Sequence, residues 1–139
     1  MSIMTVTYNV IPNIGSVVNQ GQGFRVEATI QNNLPTPLDL KDVSLKVTNV
    51  PPNFTPLAEE VRVDTVPAGG SVTVSLGFDT ESTVPTGAHT LSFQCEAYVF
   101  GREWTVIAAP PTVVKPIGIK DLYPKVTDNQ DITVTVHPE

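Results

Sequence analysis

The sequence predicts an all-β fold: two antiparallel sheets packed face to face. Alternation is the first observation behind this. Phe24, Val26, Ala28 and Ile30 alternate with Arg25, Glu27, Thr29 and Gln31. Val72, Val74, Leu76 and Phe78 alternate with Ser71, Thr73, Ser75 and Gly77. Leu91, Phe93, Cys95, Ala97 and Val99 alternate with Ser92, Gln94, Glu96 and Tyr98. A period of two puts each apolar set on one face of a strand and the polar set on the other. The second observation is that these runs are short and stop at prolines and glycines. The third is that no helical period of useful length occurs. Without a crossover helix the strands must pair mainly antiparallel.

Met4, Val6, Tyr8 and Val10 alternate with Thr5, Thr7 and Asn9, which predicts a first strand stopped by Pro12. Val17 and Val18 read as a short second piece before the loop 19–23. The strand 24–31 follows. Pro35 and Pro37 then make a loop that cannot enter a ladder. Val43, Leu45 and Val47 predict the next strand, stopped by Pro51 and Pro52. Val61 and Val63 mark a shorter, more polar strand at a sheet edge. The turn 67–70 leads to the strand 71–78, then to a loop containing Pro85, then to the longest strand, 88–100.

Gly101 and Arg102 fit the centre of a type II′ turn, which wants glycine first. That register sets Val99 opposite Trp104 and Ala97 opposite Val106. Directly opposed residues share a face, so Trp104 and Val106 are expected inside, and Tyr98, Phe100 and Ile107 outside. Beyond Pro110, Pro111 and Pro116 the chain ends in one more alternating run, Ile132, Val134 and Val136. The expected organisation is an N-terminal strand or arm at 1–13, a sandwich at 14–116, and a C-terminal extension with an extra strand at 117–139.

Composition narrows the function classes. The 139 residues carry a net charge of −6, with eight scattered basic residues. Without a basic stripe, a nucleic-acid backbone or an anionic membrane surface would be repelled. No stretch is long and apolar enough to span a membrane. The single cysteine, Cys95, excludes an intramolecular disulfide and has the apolar parity of its strand. The opening Met1 to Thr5 lacks the basic start and apolar run of an export signal.

Three segments resemble bacterial and archaeal immunoglobulin-like domains, nearest to those related to the bacterial cell-adhesion domain. They are GSVVNQGQGFRVEATIQNN (15–33), VPAGGSVTVSLGF (66–78) and TGAHTLSFQCEAYV (86–99). The resemblance implies an immunoglobulin-like antiparallel β-sandwich of about seven to eight strands, with extensions at both ends. Its motifs are turns and core positions, so no functional residue carries over. The antibody-type cysteine pair and early core tryptophan are absent, and the position of the tyrosine corner falls at Phe93.

No catalytic constellation is found. His89 and His137 lie on separate elements, and no metal or phosphate motif is present. Asp39 with Asp42, Asp79 with Glu81, and Asp128 with Asp131 read as solvated loop carboxylates. No cofactor or metal is expected. Two apolar features stand out as candidate partner contacts. One is the outward set Tyr98, Phe100 and Ile107. The other is the loop pair with Leu34, Leu38 and Phe54. Tyr123, Ile132 and Val134 of the extension complete the candidates.

The expectation is a non-enzymatic structural module: a decoration, cement or tail subunit of a larger assembly such as a phage virion. It would sit on the particle surface and contact other protein subunits or further copies of itself. Phage virions use immunoglobulin-like sandwiches in this way, and virion proteins leave the cytosol without an export signal. The alternative is an adhesion or glycan-binding module at a bacterial cell surface, with Tyr98, Phe100 and Arg102 as the sugar-facing groups.

Overall fold

A computed structural model describes residues 2–100 and 124–139. Those residues form nine strands: β1 (Met4–Pro12), β2 (Val18–Asn19), β3 (Phe24–Asn32), β4 (Asp39–Asn49), β5 (Phe54–Pro56), β6 (Glu60–Val66), β7 (Ser71–Thr80), β8 (Gly87–Phe100) and β9 (Lys125–His137). One sheet has the order β1-β3-β7-β5 and the other β2-β9-β8-β4-β6. Every pairing is antiparallel except β2 with β9, which is parallel.

The alternation places the core. Phe24, Val26, Ala28 and Ile30 of β3 and Leu76 and Phe78 of β7 are buried from one sheet. From the other come Leu40, Val43 and Leu45 of β4 and Leu91, Phe93, Cys95, Ala97 and Val99 of β8. An aromatic chain joins the layers. Tyr8 packs on Phe93 (5.1 Å between centroids), Phe93 stands edge-on to Phe78 (6.1 Å), and Phe78 stacks on Phe24 (5.2 Å). Phe24 in turn meets Phe54 edge-on at 5.9 Å.

One buried polar side chain organises a corner. Asn32 has no solvent exposure. Its Nδ2 donates to Leu38 O and Val66 O, each at 3.0 Å, and its Oδ1 accepts from Leu34 N–H at 2.9 Å. The proline-rich loop after β3 and the end of β6 are thereby tied to one side chain. These bonds satisfy Leu38 O, Leu34 N–H and the outlying Val66 O, and a buried unpaired group is costly.

The run at 4–12, expected as a strand or arm, is a strand paired with β3 along its whole length. The alternating run at the C-terminus belongs to β9, which lies between β2 and β8. The ladder of β9 with β8 runs from Gly87↔Val136 to Tyr98↔Lys125, and Tyr98 also pairs with Lys41 of β4. No ladder position remains at Tyr98 for the hairpin partner expected at Thr105. The turn Gly101-Arg102 and the residues Trp104, Val106, Ile107 and Tyr123 lie outside the described residues. β5 carries no alternation in sequence, being three residues that end in proline; Pro56 is tolerated because β5 is an edge strand.

Candidate functional site

Of the proposed contact residues, Tyr98 and Phe100 come together. The parity of β8 turns both to the outer face of its sheet, where they are half-buried. β4 sets Lys41 beside Tyr98 and Asp39 beside Phe100, and β9 sets Lys125 on the other flank of Tyr98. Glu96, two residues along the same face, accepts from Lys125 Nζ at 2.8 Å and lies 3.8 Å from Lys46 Nζ. The hydrogen bond from Lys125 holds the Glu96 carboxyl below its ordinary range. Arg62 spans Asp42 (3.0 Å) and Glu60 (3.2 Å), and Lys41 lies 3.6 Å from Asp64. The outer face is therefore a lattice of compensated charges with two aromatic side chains at its upper end. Exposed pairs of this kind add little stability; chemically, such a face suits docking against polar protein surface with an aromatic anchor.

The other candidates turn inward. Phe54 is buried against Phe24, because β5 pairs with β7 and faces the core. Leu34 and Leu38 pack against the core from the loop that Asn32 holds. Val134 is 1 % exposed and Ile132 packs beside it, since β9 fills the second sheet. Phe54 and Val134 are buried in the core, while Leu34, Leu38 and Ile132 are partly buried against it. His89 donates from Nε2 to Pro85 O (2.7 Å) and tilts against Phe54. Among the described residues no three His, Cys, Asp or Glu side chains converge as metal ligands, and no helix is long and apolar enough to cross a membrane.

Sequence reasoning overlooked a polar inclusion on the inner face. The parity of β9 that turns Val126, Ile132 and Val134 inward also carries Asp128 and Gln130. Two polar residues at apolar positions were the available signal. Gln130 Nε2 donates to Asp128 Oδ1 and, across the gap between the sheets, to Val6 O of β1, each at 2.7 Å. Because both partners are acceptors, the amide orientation is fixed. The Tyr8 hydroxyl is buried without a hydrogen-bond partner. Cys95 lies alongside, its Sγ 4.0 Å from Met4 Sδ.

Burial, then the charges of Asp128 and Glu96, pushes the Cys95 thiol up to about 12. Burial, then Cys95 and Asp128, raises the Tyr8 phenol as well. Both groups favour their neutral form in the folded chain. Their contribution to stability is thus complete below the unfolded thiol's value of 9.0 and is lost as pH climbs from there towards 12. Urea midpoints are expected to hold up to about pH 9 and then fall, and Cys95→Val should weaken that fall. A midpoint independent of pH across this window would contradict it.

Compared with known proteins, the chain matches no family model and no curated protein.

Proposed function

We propose that this protein is a non-enzymatic subunit of a larger assembly, a decoration, cement or tail component of a particle such as a phage virion, built on an immunoglobulin-like sandwich. Strand order supports the fold assignment. β1-β3-β7-β5 corresponds to the A-B-E-D sheet of an immunoglobulin domain, and β9-β8-β4 to G-F-C. The departure is β5, which holds the D position but precedes β6 in the chain.

The observation that carries the functional reading is a mismatch between register and sequence. β8 and β9 pair directly as far as Tyr98↔Lys125, and two to five residues suffice to join such strands. Residues 101–124 stand between them instead, rich in valine, isoleucine and proline, with Trp104 among them. Long connections between elements that need only short ones are where binding function concentrates. Tyr98 and Phe100 sit at the root of this one.

The purified chain is expected to form multimers at micromolar concentration in sedimentation velocity. Tyr98→Ser with Phe100→Ser should weaken association at least tenfold while leaving the thermal midpoint within a few degrees. A chain that stays monomeric throughout overturns the reading. Strand polarity favours one alternative, the adhesion or glycan-binding surface module. Ile3 and Met4 lie beside Val126, whereas Pro12 lies beside His137. β1 and β9 therefore both start at one end of the sandwich and finish at the other. A chain running from end to end in this way suits a module strung between neighbours.

A further inference from the structure

Each sheet ends in strands whose outer backbone groups could template another strand, and proteins usually blunt such edges with charge, proline or shortness. β6 carries Glu60, Arg62 and Asp64, and β9, which β2 covers only at Val136 and His137, carries Lys125, Asp128 and Asp131. β5 has three residues and β2 two. Residues 71–76 of β7, beyond the reach of β5, are uncharged, and β1 is the longer exception. It spans nine residues, Met4–Pro12, with no charge and only a terminal proline.

The phase of its outer edge is readable. Ile3 O accepts from Asn33 N–H on the β3 side, whereas Val6 O accepts from Gln130 on the opposite side. Alternation in an antiparallel pair then points the backbone groups of Met4, Val6, Tyr8 and Val10 away from β3. Gln130 is the bridge that the described residues place on this row. On one side of it a groove of about 400 Å³ opens between Ser2, Ile3, Met4 and Val126, Thr127, Asp128. On the other a groove of about 200 Å³ lies between Val10, Pro12 and Val18, Thr133, Thr135.

We propose that the outer edge of β1 is a strand-pairing site for a second copy of this chain, held shut by the Gln130 clip. This rests on the assembly reading and supplies its partner. A two-fold axis at Thr7 makes the pairing self-complementary. Val6 then exchanges hydrogen bonds with Tyr8 of the second copy, and Met4 with Val10, so all outward backbone groups face one another. The inward Val10 side chain of one copy comes to the groove beside Met4 of the other. No like charges meet, because β1 has none. Of the strand edges described, this is the longest without charge; the stretch of β7 that β5 leaves uncovered, residues 71–76, is neutral too but shorter. The Val6 carbonyl that Tyr8 N–H of the second copy needs is the one Gln130 occupies, so the clip must release for the sheets to join.

The test uses the full chain. Gln130→Leu is expected to tighten self-association at least tenfold over the unaltered chain in a concentration series by sedimentation velocity. Gln130→Glu, which keeps the side-chain length but loses the donor, should act in the same direction if the leucine variant folds poorly. Adding Thr7→Lys sets two ammonium groups face to face and should reverse the gain. Adding Thr7→Cys should give a disulfide-linked dimer under mild oxidation. A directly opposed, non-bonded pair stands about 4.5 Å apart at Cα, within disulfide reach, and Cys95 is buried. Folded clip variants that associate no more tightly than the parent overturn the proposal, as does association without the Thr7→Cys cross-link. Multimers indifferent to Thr7→Lys also overturn the β1 site, yet leave the assembly reading standing. A parent chain that is monomeric while its clip variants dimerise does the reverse.

Discussion

Phe78→Ala should destabilise the domain by about 3–5 kcal/mol, the range for removing a fully buried aromatic side chain from a packed core. Phe78 has no solvent exposure, and it links the two layers by stacking on Phe24 and standing edge-on to Phe93. Its loss removes apolar burial and both ring contacts, which each add roughly 0.5–1.5 kcal/mol. Phe24 and Phe93 are themselves fully packed, so the site cannot collapse readily into the space. Phe78→Leu should recover a large part of the loss, since most of the volume is restored. Urea denaturation followed by tryptophan-independent far-UV circular dichroism measures both. A shift below about 1 kcal/mol for the alanine variant would mean the aromatic chain does not couple the sheets.

Asn32→Ala should cost about 3 kcal/mol by a different route. It removes almost no apolar area but strands Leu38 O, Val66 O and Leu34 N–H, the three groups that Asn32 serves. Each unpaired buried group costs about 1–3 kcal/mol, reduced where the loop can open to water. Asn32→Asp is the sharper control. Its shape is conserved, but an acceptor replaces the donor that faces two carbonyl oxygens, and a buried charge is added. It should destabilise at least as much as alanine at neutral pH and recover in part on acidification, as the carboxyl protonates. Equal stability of Asn32→Asp and the parent at neutral pH would refute the hydrogen-bond account.

The assembly reading has a similar division of labour. The aromatic pair on the outer face of β8 and the row of outward groups on β1 are separate surfaces, and their variants are expected to act independently. Substitutions at Tyr98 and Phe100 leave the β1 edge intact, while Gln130→Leu leaves the outer face intact. A particle subunit with two such surfaces can contact different neighbours through each.

Much of this was legible in the residue order. Parity within β3, β7 and β8 follows from alternation alone, because a strand sends successive side chains to opposite faces whatever it pairs with. The inward set Leu91, Phe93, Cys95, Ala97 and Val99 and the outward placement of Tyr98 and Phe100 needed nothing more. The edge position of β6 was also visible, in the charges that interrupt Val61 and Val63. β5 escaped notice because three residues have no period, and Phe54 consequently read as a surface residue when it is core.

Pairing is where the sequence alone ran out. Alternation states which face a residue takes, but not which strand lies beside it. The run containing Ile132, Val134 and Val136 therefore looked like a strand too many, when it is the neighbour that β8 requires. Only the tertiary structure seats β9 there, because a ladder forms between whichever compatible edges the packed sheets bring together, here over a twelve-pair register. The same step decided the role of Gln130. In sequence it is a polar residue at an inward position; once β9 lies opposite β1, its amide reaches the Val6 carbonyl on that edge.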